Sequence, residues 1–113
     1  MIDSETFRQM ALSFDEATEL PHFNKASFRV KNKIFATLEV NTLKAVVKLS
    51  EIEQSVFCGY DHGIMQPVNG GWGKQGWTVI DLHAVSHEIL KDALTTSYCN
   101  VAPSPLAEKF RQF

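Results

Sequence analysis

The chain has 113 residues, 44% of them hydrophobic and 21% charged, and a formal net charge of −2. That length supplies one domain, 1–113, with a core of its own, and so ordinary a composition excludes a disordered or fibrous chain. A pI near 6.0 argues against a protein that grips phosphate through overall charge, and no apolar run approaches the ~20 residues that cross a bilayer.

Asp3 or Ser4 can cap a first helix, with Glu5 placed to complement its dipole. Phe7, Met10, Ala11 and Phe14 follow the i, i+3, i+4, i+7 spacing and give it one inward stripe. The opening MIDSETFRQ lacks the basic and apolar regions of a secretory signal, so a cytoplasmic location is expected. Ala17–Phe23 reads as a short edge strand, because Pro21 removes a ladder donor.

From Ala26 to Leu49 the chain alternates like a three-stranded antiparallel meander. Its apolar face is expected to hold Phe28, Val30, Ile34, Ala36, Leu38, Val40, Leu43, Ala45, Val47 and Leu49. A three-residue loop at Lys31-Asn32-Lys33 sets Val30 opposite Ile34, and a two-residue loop at Asn41-Thr42 sets Val40 opposite Leu43. The opposite face then shows Arg29, Lys31, Lys33, Phe35, Thr37, Glu39, Lys44 and Lys48. From Pro21 to Lys48 six Lys/Arg residues stand against one acid, Glu39.

Ser50 with Glu53 forms a capping box that opens a helix through Ile52, Val56 and Phe57, with Gly59 as its C′ residue. Ile64–Val68 is a strand weakened by Pro67. The glycine cluster from Asn69 to Gly76 reads as a long flexible hairpin tip leading into the strand Trp77–Leu82, where Trp77 is expected in the core. Ser86 caps a third helix whose packing side is Ile89, Leu90, Ala93, Leu94, Ser97, Tyr98 and Val101, and Pro103 ends it. Ser104-Pro105 starts a last short helix with Leu106 and Phe110 turned inward. Cys58 and Cys99 fall in apolar helical segments and are expected as buried free thiols of a reducing compartment.

Few motifs carry catalytic chemistry. Gly71-Trp72-Gly73-Lys74-Gln75-Gly76 satisfies G-x-G-x-x-G, but a strand follows it where a dinucleotide site needs a helix N-terminus. Val68 and Gln75 also rule out a Walker A loop. His83 and His87 are four apart, yet a helix capped at Ser86 leaves His83 outside the shared face, and no carboxylate or Cys completes a ligand set. No nucleophile elbow or S-x-x-K pair is present. What remains is the basic sheet face, with Arg29, Lys31, Lys33, Lys44 and Lys48 for phosphates and Phe35 or Trp72 for stacking. The plainer account of the same residues is a solvated face whose lysines block aggregation.

Ala26-Ser27-Phe28-Arg29-Val30 through Lys33-Ile34-Phe35-Ala36 resembles the signature hairpin of the MmcQ/YjbR family. Trp77-Thr78-Val79 resembles its Trp-x-Val strand, and Ser97-Tyr98, followed by Val101 and Leu106, its C-terminal Ser-Tyr helix. The Glu19 to Phe23 segment also fits. The resemblance implies an α+β fold, an antiparallel sheet of five to six strands with flanking helices, similar in shape to frataxin-like and secretion-chaperone-like domains. It also implies DNA binding through two β-hairpin wings. The glycine-rich insert departs from the shorter second wing of the family.

The expected function is thus a non-enzymatic, monomeric DNA-binding protein without metal or cofactor. Wing one would be Arg29, Lys31 and Lys33, wing two Trp72 and Lys74, with Lys44 and Lys48 extending the basic face. The alternatives are a protein-interaction module for an acidic partner and a small-ligand domain with a pocket beside the glycine-rich hairpin.

Overall fold

The structure, a computed structural model, describes residues 1–111. Its elements run α1 (Ser4–Leu12), β1 (Thr18–His22), β2 (Lys25–Val30), β3 (Lys33–Glu39), β4 (Lys44–Lys48), α2 (Glu51–Cys58), β5 (Met65–Pro67), α3 (Gly71–Lys74), β6 (Trp77–Asp81), α4 (His87–Val101) and α5 (Ser104–Ala107). The strands form one antiparallel six-stranded sheet in the order β1-β2-β3-β4-β6-β5, so the α+β class and the strand number stand. Among the described residues no helix is long and apolar enough to cross a membrane.

Side chains fix the helix starts where the sequence placed them. Asp3 Oδ1 accepts from the Thr6 amide at 2.8 Å, Ser50 and Glu53 make the reciprocal capping box, and Ser86 Oγ accepts from the Ile89 amide at 3.1 Å. Each supplies an acceptor to an amide that has no partner in its own first turn. Gly59 closes α2 with a right-handed φ of −68°, so left-handed freedom is not what ends that helix.

Helices α1 and α4 cover one face of the sheet. Phe7 meets Phe28 edge-on at 5.5 Å, while Tyr98 stacks on Phe14 at 4.8 Å and meets Phe35 and Phe110 edge-on. Fully desolvated, the Tyr98 hydroxyl still finds an acceptor in the Asp15 carbonyl at 2.7 Å. Cys58 is buried and Cys99 half-buried, both unbridged, and burial pushes both thiols up. Ile52 and Val56 of α2 are exposed.

The meander exists, but its first turn differs from the expected one. Val30 pairs with Lys33 across a two-residue turn in which Lys31 and Asn32 have φ of 51° and 65°. Such a turn matches the right-handed twist of the flanking strands, which a three-residue loop would not need to do. The extra residue is absorbed one step later: Arg29 pairs with Ile34 and Phe28 with Ala36, which leaves Phe35 as a β-bulge. Phe35 therefore turns inward and is fully buried, and Ile34 turns outward. The second turn spans residues 40–43, with Glu39 paired to Lys44. Leu38–Ala45 and Ala36–Val47 pair as expected, but Val40 stays exposed.

A bulge leaves backbone groups without ladder partners, and here α4 supplies them. The Ser97 hydroxyl, fully buried, donates to the Phe35 carbonyl and accepts from the Lys48 amide at 2.9 Å. One turn on, Asn100 Nδ2 donates to the Lys48 carbonyl at 3.2 Å and to Glu53 at 2.8 Å. Replacing Ser97 with Ala strands a buried C=O and a buried N–H, so S97A should lose about 2–4 kcal/mol in denaturant unfolding with an unchanged m-value. A loss under about 0.5 kcal/mol would contradict the bridge.

The Asp3 carboxyl is held below its ordinary value, chiefly by the Thr6 backbone hydrogen bond. Its capping contribution is present above the unfolded value of about 3.9 and fades as pH falls through the lower folded value. Thermal melts of D3A should show a deficit at pH 7 that narrows near pH 3. An equal deficit at both pH values would show that ionisation plays no part.

Candidate nucleic-acid interface

Alternation on each strand sends three rows of side chains to the open face of the sheet, across the strands. The first is a charge ladder. His22 pairs with Lys25, Lys25 Nζ lies 3.9 Å from Glu39, Glu39 pairs with Lys44, and Lys44 pairs with Asp81. Alternating signs across neighbouring strands stabilise the pairing but leave little net field. The middle row is uncharged: Leu20, Ser27, Thr37, Val46 and Val79 follow one another in register.

The third row carries cations and aromatic rings. Arg29 pairs with Ile34, and its Nε donates to Ser27 Oγ at 3.0 Å. Lys48 pairs with Trp77, and its ammonium lies 5.6 Å from the Trp77 ring centroid while donating to the Gln75 carbonyl. Trp77 is thus a half-buried open-face residue, not the core residue the sequence suggests. The β2–β3 turn, with Lys33, lies at this same end of the sheet, since Ala36 pairs with Val47 one residue from Lys48. Helix α3 lies there too, because it runs straight into β6 at Trp77. Two strand spacings separate β3 from β6, roughly 10 Å.

The expected cations divide accordingly. Arg29 and Lys48 stand at one end of the open face, with Trp72 beside them; Lys33, paired with the inward Val30, leaves β3 on the helix-side face at that same end, and Lys74 ends α3 there. Lys44 sits at the opposite end in the charge ladder. Lys31 turns toward the α1–β1 loop and pairs with Glu16 at 2.6 Å. Phe35, expected to be free for stacking, lies in the core. Among the described residues Lys33, Lys44 and Lys74 form no ion pair.

The glycine-rich segment is a packed helical turn, not a flexible tip. The Gln75 amide donates to the Gly71 and Trp72 carbonyls at 3.2 and 3.1 Å, and Gln54 Nε2 reaches the Gly73 carbonyl at 3.0 Å from α2. Gly73 is buried so tightly that a Cβ would stand 1.8 Å from the Val68 carbonyl oxygen. At Gly76, with φ +103°, a Cβ would stand 1.7 Å from the Leu49 oxygen. Glycine is needed for this close backbone approach. The turn holds Trp72 out at 62% exposure.

Between Trp72 and the sheet lies a groove of about 220 Å³, lined by Ile34, Thr37, Val46, Trp77 and, at the far mouth, His22 and Lys25. Ile34, Val46 and Trp77 escape the sequence reading; the doublet Val46-Val47 within alternating KAVVKL was the available signal. A larger cleft of about 590 Å³ lies on the helix side, where Asn100 and Glu53 hold each other. Among the described residues no three His, Cys, Asp or Glu side chains gather as a metal site, and His83 Nδ1 lies 3.1 Å from Asp81.

The YjbR family profile matches residues 12–100. The chain belongs to the YjbR family. A Deinococcus radiodurans protein, DR2400, described as a DUF419 domain, is similar in fold with a TM-score of 0.81 over 97% of this chain and 88% of its own, at 17% identity. No curated protein matches the sequence.

The glycines separate by role. G71A meets open space at a right-handed residue and should leave stability within about 0.5 kcal/mol or raise it slightly. G73A and G76A should each cost more than about 2 kcal/mol in chemical unfolding. Equal effects at all three would contradict the packed turn.

Proposed function

We propose that this YjbR-family domain is a monomeric, non-catalytic DNA-binding protein that contacts the phosphate backbone with the end of its sheet where the β2–β3 turn and α3 meet. The observation that carries this is the gathering of Arg29, Lys33, Lys48 and Lys74 around the β2–β3 turn and α3, the two hairpin ends of the sheet. The helices, by contrast, carry Glu5, Glu51, Glu53, Glu88 and Asp92. A chain of net charge −2 thereby turns a cationic end toward a polyanion, while the acids of its open face, Glu39 and Asp81, stand at the opposite end in the charge ladder. Local field, not total charge, governs the encounter.

Four cations, not seven, make the contact in this proposal. Lys31 is engaged by Glu16, although an exposed pair of this kind is worth at most about 1 kcal/mol. Lys44 is balanced by Glu39 and Asp81.

Fluorescence anisotropy on a labelled duplex should give a log Kobs versus log[salt] slope of roughly −3 to −4, at about −0.9 per phosphate contact. K33A and K74A should each flatten it by about 0.9, and K44A by much less. No duplex binding at about 50 mM salt, or equal effects of K33A and K44A, would overturn the proposal.

A further inference from the structure

We infer that the groove beneath Trp72 holds one unstacked nucleobase of single-stranded DNA, so that single strands are the preferred form of the nucleic acid; this rests on the DNA-binding reading above and names its substrate class. The groove is too small for most cofactors: its 220 Å³ falls below the roughly 300–1,000 Å³ of ordinary small-molecule sites. One planar ring system is what it can accept. Its lining is suited to such a ring, with the Trp72 and Trp77 indoles beside Ile34, Val46 and Val68.

Trp72 supplies the second reason. An indole held 62% exposed costs solvation unless something covers it. The turn that carries it is tied to α2 through Gln54 and to the sheet by the close approach of Gly73 to Val68. The ring is therefore presented in place, and little ordering is lost when a base stacks on it. Bases inside a duplex have both faces covered and cannot use such a platform, whereas unstacked bases can.

Charge complementarity selects the occupant. Lys48 stands over Trp77 at the inner wall and Lys74 closes the turn that bears Trp72, whereas Lys25, at the far mouth, is balanced by Glu39. A base in the groove would carry its flanking phosphates toward the Lys48 and Lys74 ammonium groups. Thr37, half-buried in the lining, is a polar group in reach of a base edge. The rest of the lining near the inner wall is apolar, with little to recognise a 2′-hydroxyl, which favours DNA over RNA.

The test compares labelled oligonucleotides of about eight nucleotides as single strand, duplex, abasic single strand and RNA of the same sequence, at one salt concentration. The single strand should bind wild type about ten-fold or more tightly than the duplex and quench tryptophan fluorescence. The abasic strand, equal in charge, should lose about ten-fold. W72A should lose a similar factor on the single strand and almost nothing on the duplex, with W72F restoring most of it.

Duplex binding equal to single-strand binding, or W72A weakening both alike, would overturn the base slot and leave backbone contact standing. Tighter binding of the RNA would overturn the assignment to DNA. Absence of all binding at low salt would remove both readings. The abasic comparison uses unaltered protein, so it decides the matter even if a Trp72 variant were to misfold.

Discussion

One hydroxyl holds the two halves of the molecule together. Where β3 bulges at Phe35, an inward carbonyl and the Lys48 amide lose their ladder geometry, and Ser97 of α4 bridges the two. The longest helix is thereby tied to the sheet at two adjacent strands by a polar contact, in addition to apolar packing. Tyr98, beside it, packs on Phe35, Phe14 and Phe110 and donates to Asp15. Asn100 extends the same strip to the start of α2. A buried serine in an otherwise apolar stripe is thus explained by the backbone it serves, since buried donors and acceptors are costly when unpaired.

The bulge also decides which residues face solvent. Without it Ile34 would join the core and Phe35 the open face. With it, Phe35 completes the aromatic cluster and Ile34 becomes part of the groove lining beside Trp72. A local irregularity of one residue therefore links the core to the candidate site. It explains why Ile34 joins Val46 and Trp77 on the open face.

Much of this was legible from residue order alone. Caps at Asp3, Ser50 and Ser86 have short-range causes that the sequence states directly. The inward stripes of α1 and α4 follow from spacing, and the Leu38–Ala45 and Ala36–Val47 pairs follow from alternation. What was hidden depends on contacts across the fold. Alternation does not reveal a bulge, since Ile34, Phe35 and Ala36 are all apolar and satisfy either register. Glycine density suggested mobility, whereas Gly73 and Gly76 are there because Val68 and Leu49 pass so near. Lys31 and Lys44 look equivalent to Lys33 and Lys48 in a charge count, and only the sheet register and the position of Glu16 separate them.

The central claim is that the end of the sheet at Arg29, Lys48 and Trp72, and not the cleft between the helices, meets nucleic acid. Amide chemical-shift mapping during titration with an unlabelled DNA oligonucleotide tests it most directly. The account predicts that the largest shifts cluster at Arg29–Ile34, Val46–Lys48 and Trp72–Trp77, with α4 and the cleft beside Asn100 quiet. Shifts centred on α2 and α4, or spread evenly along the charge ladder at Lys25, Lys44 and Asp81, would contradict it.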